Sequence, residues 1–196
     1  MKLEQAQLIA NELREQMLPY CHRIEVGGSI RREQKNVKDI ELIMIPKTDV
    51  VIIKPQLSIF EAPVTKQVIV AELAEIINQY QSLKGNLAKG GKYQQIYLPA
   101  HNINADLFTA PVESFGYIMM LRTGSYLYNR HFVLPRLKQR GYFLADGKIY
   151  KNGVAVPVPE EEDVFRLLNV HYIRPDLRYM EDVKYYKLDK QLTSAA

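Results

Sequence analysis

Val26-Gly-Gly-Ser-Ile-Arg-Arg-Glu-Gln-Lys-Asn-Val-Lys-Asp-Ile-Glu-Leu-Ile-Met-Ile45 joins a glycine-rich turn to a strand that carries two carboxylates. Gly27 and Gly28 allow the backbone to turn tightly beside a ligand, and Ser29 offers a hydroxyl and a backbone N–H. Arg31 and Arg32 add forked donors suited to phosphate oxygens. Asp39-Ile40-Glu41 follows within a run of Ile, Leu and Met that reads as a buried strand. Side chains alternate along a strand, so Asp39 and Glu41 share one face while Ile40 and Leu42 share the other. Alone, each half is ordinary, since G-G-S can be a hairpin turn and D-x-E an exposed strand face. An anion cradle running directly into a carboxylate pair points to chemistry on phosphates.

Two like charges so close repel unless a cation sits between them. Hard carboxylate oxygens suit Mg²⁺, which keeps several waters and takes one or two carboxylates plus substrate phosphates. These are the parts that phosphoryl or nucleotidyl transfer requires.

At this point the sequence resembles the family X DNA polymerases, the nucleotidyltransferases related to DNA polymerase beta. The resemblance rests on four ordered matches. Gly28-Ser-Ile-Arg-Arg32 is followed by Asp39-x-Glu41, and Asn104-Ala-Asp106-Leu-Phe-Thr109 provides the third carboxylate on a later strand. Arg122-Thr-Gly-Ser-Tyr-Leu-Tyr-Asn-Arg130 matches the nucleotide-binding T-G-S with Asn four residues on. Val156-Pro-Val-Pro-Glu-Glu-Glu-Asp-Val-Phe-Arg-Leu-Leu168 and Tyr172-Ile-Arg-Pro-Asp-Leu-Arg178 are similar to the family's closing segment.

The resemblance implies an α+β fold, a palm of mixed sheet and helices over residues 1–110, then a small α+β nucleotide-binding, thumb-like lobe over 111–180 and a tail over 181–196. It implies template-directed DNA polymerisation onto a primer 3′-OH, with short-gap filling in DNA repair as the setting. Asp39, Glu41 and Asp106 would be the catalytic metal ligands for two Mg²⁺ ions, with Mn²⁺ able to substitute. Gly28, Ser29 and Arg32 would hold the triphosphate. Leu121, Arg122, Thr123, Gly124, Ser125, Tyr126 and Asn129 would line the nucleotide site, with Gly124 and Asn129 against sugar and base. Lys89, Lys92 and Arg130 would contact nucleic acid. The expected partners are a primer-template or gapped DNA duplex and a dNTP.

The resemblance begins at the palm, so a reduced, viral-type enzyme without a lyase domain is expected. Two departures stand out. Glu41 occupies a position where polymerases of this family usually have Asp, and neither Leu121 nor Arg122 is the aromatic that usually precedes T-G-S and rejects a ribose 2′-hydroxyl. Both favour an alternative, untemplated transfer to RNA ends or a small molecule. The missing aromatic also predicts weakened discrimination between dNTP and NTP.

Composition agrees with one core or two small lobes in 196 residues, 47% of them hydrophobic. The net charge of +4 suits a polyanionic partner. There is no apolar run long enough to span a membrane and no signal peptide at Met1-Lys-Leu-Glu-Gln5, so a soluble cytoplasmic monomer is expected. Cys21 is the single cysteine, which excludes an internal disulfide and reads as a packing residue. His22, His101, His131 and His171 lack zinc spacing.

Periodicity predicts helices over 2–18 and 64–80 and strands over 23–26 and 38–45. Strands over 82–88 and 92–98 are joined by Lys89-Gly-Gly91, and another strand spans 103–109. From Asp49 to Leu57 the pattern is apolar without clear period, and Pro55 and Pro63 bracket an unassigned connector. Asp106 interrupts an apolar strand, so a metal or a cationic partner is expected beside it. After Pro111, helices over 113–121 and 126–140 flank the T-G-S, with Pro135 predicting a kink. Hairpin strands at 142–145, 148–151 and 154–156 and a helix over 160–168 follow.

Overall fold

The computed structural model describes residues 1–54 and 63–179. The part of the unassigned connector from Pro55 on and the tail from Met180 lie outside the described residues. Cα packing divides the chain into two compact units. One comprises residues 7–26 and 38–109; the other comprises 1–6, 27–37 and everything from Ala110. The second unit resumes at Ala110, and the glycine-rich turn clusters with it.

The first unit is built on helix α1 (Leu3–Met17), from Gln7 on, and on strand β1 (Cys21–Val26). In α1, Ala6, Ile9, Ala10, Leu13 and Met17 are buried at helical spacing, and Pro19 ends the helix in a single 3₁₀ turn. Arg14 Nε donates to Ile24 O at 2.9 Å, tying helix to strand. Strand β2 (Asp39–Pro46) continues into a ribbon of β3 (Thr48–Lys54) and β4 (Val64–Ile69), then helix α3 (Ala71–Asn78). Strands β5 (Gln81–Gly85), β6 (Tyr93–Leu98) and β7 (Ile103–Thr109) complete it. The short helix α2 (Gly28–Arg31) belongs to the other unit.

The five-stranded sheet runs β1-β2-β7-β6-β5, with β2 and β7 parallel and the other neighbours antiparallel. This is the mixed sheet the sequence predicts. Ile40, Leu42, Met44, Ala105, Leu107, Ile96 and Leu98 are buried on alternate positions, as period-two patterning demands. Each such Leu or Ile contributes about 1.5–3 kcal/mol by leaving water.

One element differs from expectation. The helix predicted over 64–80 begins only at Ala71, because Val64–Ile69 pairs with β3 in register Val50↔Gln67 and Ile52↔Thr65. Val64, Thr65, Val68 and Ile69 are β-branched, and a partner strand decides an apolar pattern that periodicity leaves open.

The second unit packs helix α4 (Phe115–Thr123) and helix α7 (Glu161–Leu168) with a three-stranded sheet of β8 (Tyr142–Ala145), β9 (Lys148–Lys151) and β10 (Val154–Val156). Between them runs a helical stretch of α5 (Tyr126–Tyr128), a π-helical turn (Asn129–Val133) and α6 (Leu134–Gln139). A π turn precedes Pro135, which stands in the first turn of α6 and has no N–H to continue the helical ladder across that junction. Met120, Tyr128, Phe132, Val133, Leu137, Ile149, Val164, Phe165 and Leu168 form the core. A capping box between Glu160 and Asp163 opens α7, and Asn169 in the left-handed region closes it.

Candidate active site

The C-terminal unit carries the residues that the sequence reads as an anion cradle. Gly28 has φ +61°, a conformation that glycine adopts without a Cβ penalty, and it starts the one-turn helix that presents Ser29. Arg32 donates through Nη1 to Thr123 O at 2.6 Å, which places it beside the T-G-S turn. Its own carbonyl accepts the Tyr179 hydroxyl at 3.2 Å. Ser29 Oγ and Arg32 Nε are both buried, and neither has a hydrogen-bond partner among the described residues. A buried donor left unpaired costs about 1–3 kcal/mol, so two such donors three residues apart in sequence fit a site whose ligand supplies the acceptors.

Thr123 is fully buried, and its Oγ1 accepts Arg31 Nη1 at 2.8 Å. The next residue, Gly124, leaves no room for a side chain, since a Cβ there would meet Asn129 Oδ1 at 2.6 Å. Asn129 Nδ2 donates to Leu121 O at 2.8 Å, while its buried Oδ1 has no partner among the described residues. Ser125 caps α5, its Oγ accepting Tyr128 N at 3.1 Å and donating to Arg178 O at 3.2 Å. Leu121 packs against the core, whereas Arg122 is exposed. Tyr126 is 69% exposed, with Arg130 Nη1 on its hydroxyl at 2.7 Å and the guanidinium 5.7 Å from its ring centroid. The Gly28, Ser29 and Arg32 cradle and the residues 121–129 thus lie within one unit, with Arg32 and Thr123 in direct contact.

Sequence reasoning missed what holds this turn. Arg31, read as a phosphate donor, instead forks onto Glu161 at 3.0 and 2.9 Å. Arg178 forks onto the same carboxylate at 2.6 and 3.0 Å. Burial raises the Glu161 pKa, but the hydrogen bonds and charges of Arg178 and Arg31 outweigh it and hold the carboxyl below its ordinary value. A signal was present: Glu161, Val164, Phe165 and Leu168 fall on one face of α7, and a carboxylate on an apolar face must find a cation.

The carboxylates lie in the other unit. Across the parallel pair Asp39 stands opposite Asn104 and Glu41 opposite Asp106. All three acids are half-buried, and period-two alternation puts them on one face of the sheet. Of the metal or cationic partner expected at Asp106, no cationic side chain faces it among the described residues. Its Oδ1 accepts the Tyr93 hydroxyl at 2.7 Å and Gln95 Nε2 at 2.9 Å, both neutral donors from β6. Among the described residues no group of three or more His, Cys, Asp or Glu side chains is gathered as an ion would need. The donor set nonetheless fits a hard divalent cation in type and in backbone placement. In-register residues on paired strands lie within about 5 Å, and carboxyl groups swing on two side-chain torsions.

Lys89 and Lys92 are exposed beside the β5–β6 connection, where Lys89 N donates to Asn86 Oδ1 at 2.9 Å and Lys66 Nζ donates to Lys89 O. Cys21 is buried, and burial pushes its thiol up to about 11, so it is a packing residue. No helix among the described residues is long and apolar enough to cross a membrane.

The chain has an α+β fold, with a mixed sheet that carries the three acids in one unit and the T-G-S turn in the other. Residues 118–179 match the family model of the DNA polymerase beta thumb. The structure is similar to polymerase beta of Leishmania infantum, solved as a ternary P/T complex, with a TM-score of 0.62 and 20% identity over 91% of this chain and 76% of that one. No curated protein matches the chain. The thumb segment and the fold are thus similar to those of polymerase beta.

Proposed function

We propose that the chain is a template-directed DNA polymerase that adds nucleotides to a primer 3′-OH and acts on short gaps during DNA repair. The observation that carries this reading is the register of Glu41 with Asp106 across β2 and β7, with Asp39 on the same face. Asp39 and Glu41 would hold two Mg²⁺ ions, or Mn²⁺ in their place, with Asp106 completing the catalytic one. A metal bound there would lower the pKa of the primer 3′-OH and offset charge on the triphosphate. Ser29 Oγ and Arg32 Nε donate to phosphate oxygens, which pairs two buried donors. Gly124 would lie against the sugar and base, with the unpaired Asn129 Oδ1 as an acceptor for them. The 3′-oxygen attacks the α-phosphorus in line and pyrophosphate leaves. Lys89, Lys92 and Arg130 contact the nucleic acid backbone. The protein works as a monomer in the cytoplasm.

A second reading, untemplated transfer to RNA ends or a small molecule, is favoured by Glu41 and by the lack of an aromatic at Leu121–Arg122. Primer extension with and without a template strand separates the two. Extension that requires the template and follows its sequence supports the polymerase; equal extension of the lone primer overturns it.

A further inference from the structure

We propose that Tyr93 and Gln95 are positioning residues that set the Asp106 carboxylate for cation binding. This inference rests on the polymerase reading and adds a second layer to its site. Gln95 stands opposite Asp106 in the β6–β7 pair, and Tyr93, two residues earlier on β6, stands opposite Phe108. Alternation puts Tyr93 and Gln95 on the acidic face. Their two donors converge on a single oxygen, Oδ1, at 2.7 and 2.9 Å. Neither engages Oδ2.

A free aspartate sweeps two torsions. Two donors fixed on a neighbouring strand remove that freedom before any cation arrives, so its ordering cost is met by the fold. The Tyr93 donor is itself fixed, because its ring stacks on Phe108 with centroids 5.0 Å apart and planes 25° apart. The donors are neutral, and this matters as much as their geometry. An arginine or lysine here would orient the carboxylate but also cancel the charge that attracts a metal. A phenol and an amide orient it and leave the charge intact. Ligand carboxylates generally depend on such outer partners, whose loss lowers metal affinity or activity about 10–100-fold.

The test uses the full chain with Tyr93→Phe, which keeps the ring and its stacking, and Gln95→Leu, which keeps the volume. Mn²⁺ binding is followed by electron paramagnetic resonance in the absence of primer, and templated extension is measured against Mg²⁺ and against dNTP. Both variants are expected to bind Mn²⁺ about 10–100-fold more weakly. The Mg²⁺ concentration for half-maximal extension should rise in parallel, while KM for dNTP and the thermal midpoint stay at wild-type values. Unchanged Mn²⁺ affinity and Mg²⁺ dependence in both variants, with an active wild type, overturn the positioning role alone. A wild type that neither binds Mn²⁺ nor extends a primer overturns the polymerase reading, and this inference with it.

Discussion

Arg178 presents both terminal guanidinium nitrogens to the Glu161 carboxylate, at 2.6 and 3.0 Å, with Arg178 wholly buried and Glu161 only 5% exposed. The Arg178 Nε and Nη2 also donate to Ile173 O, at 2.9 and 2.8 Å, and its guanidinium lies 5.1 Å from the Phe165 ring centroid. Every face of the cation is therefore occupied, which is what makes a buried charge tolerable. Arg31 closes the other side of the same carboxylate and links it to Thr123. Glu161→Gln keeps the shape but leaves two guanidinium groups facing a neutral amide. Removing one member of a buried pair costs about 3–5 kcal/mol. The expected result is a large fall in the thermal or denaturant midpoint of the C-terminal unit, and an unchanged midpoint would show that the network does not stabilise it.

The same carboxylate sets an acid limit. Its pKa in the folded chain lies below the ordinary value because its arginine partners outweigh burial. A group depressed in this way contributes its stability above the unfolded pKa of about 4.3 and loses it as pH falls through the folded value. Stability of the wild type should therefore fall as pH drops below about 4. In Glu161→Gln this part of the pH dependence should disappear. Equilibrium unfolding of both proteins across acidic pH measures the difference in slope.

These features mark where the sequence was legible and where it was not. The strands β2, β6 and β7 follow from alternation, and the three acids share a face because alternation also fixes direction. The glycine-rich turn and the T-G-S were readable as backbone-dominated features. What escaped is side-chain partnership across long sequence separations: Arg31 with Glu161, Arg178 with Glu161, and Asp106 with Tyr93 and Gln95. No local pattern encodes which arginines face a carboxylate. The ribbon β3–β4 escaped for a related reason, since pairing with β3 was needed to make Val64–Ile69 a strand.

Ser29 separates function from stability. Its hydroxyl is buried without a partner among the described residues, so Ser29→Ala removes a burial cost and should leave the thermal midpoint unchanged or slightly raised. If the hydroxyl donates to a triphosphate oxygen, it is worth about 1.5–3 kcal/mol to the bound nucleotide, and KM for dNTP should rise about tenfold or more. Steady-state extension with varied dNTP, alongside thermal unfolding, checks both halves. A destabilised variant with wild-type KM would place Ser29 in the fold and outside the nucleotide site.

Asp106→Ala addresses the acids directly. Asp39 and Glu41 come from a different strand, so nucleotide binding should persist while extension is lost by several orders of magnitude. Equal extension by wild type and variant would remove Asp106 from the catalytic set. Loss of folding is not expected, because the variant only deprives Tyr93 and Gln95 of a half-buried acceptor that water can replace.

Sugar selection tests the residues just before T-G-S. The Leu121 side chain packs against the core and its carbonyl is committed to Asn129 Nδ2 at 2.8 Å, while Arg122 is exposed. Neither residue presents an aromatic wall to a ribose. Each factor of ten in preference requires about 1.4 kcal/mol, so rejecting a ribonucleotide about a thousandfold requires about 4 kcal/mol of steric or desolvation penalty. With no aromatic there to supply it, incorporation of rCTP opposite G should fall behind dCTP by much less than that. A single-nucleotide insertion assay comparing kcat/KM for the two substrates measures the ratio. A preference for dCTP near a thousandfold would mean that another group closes on the 2′-hydroxyl, and Tyr126, 69% exposed and braced by Arg130, is the side chain to truncate first.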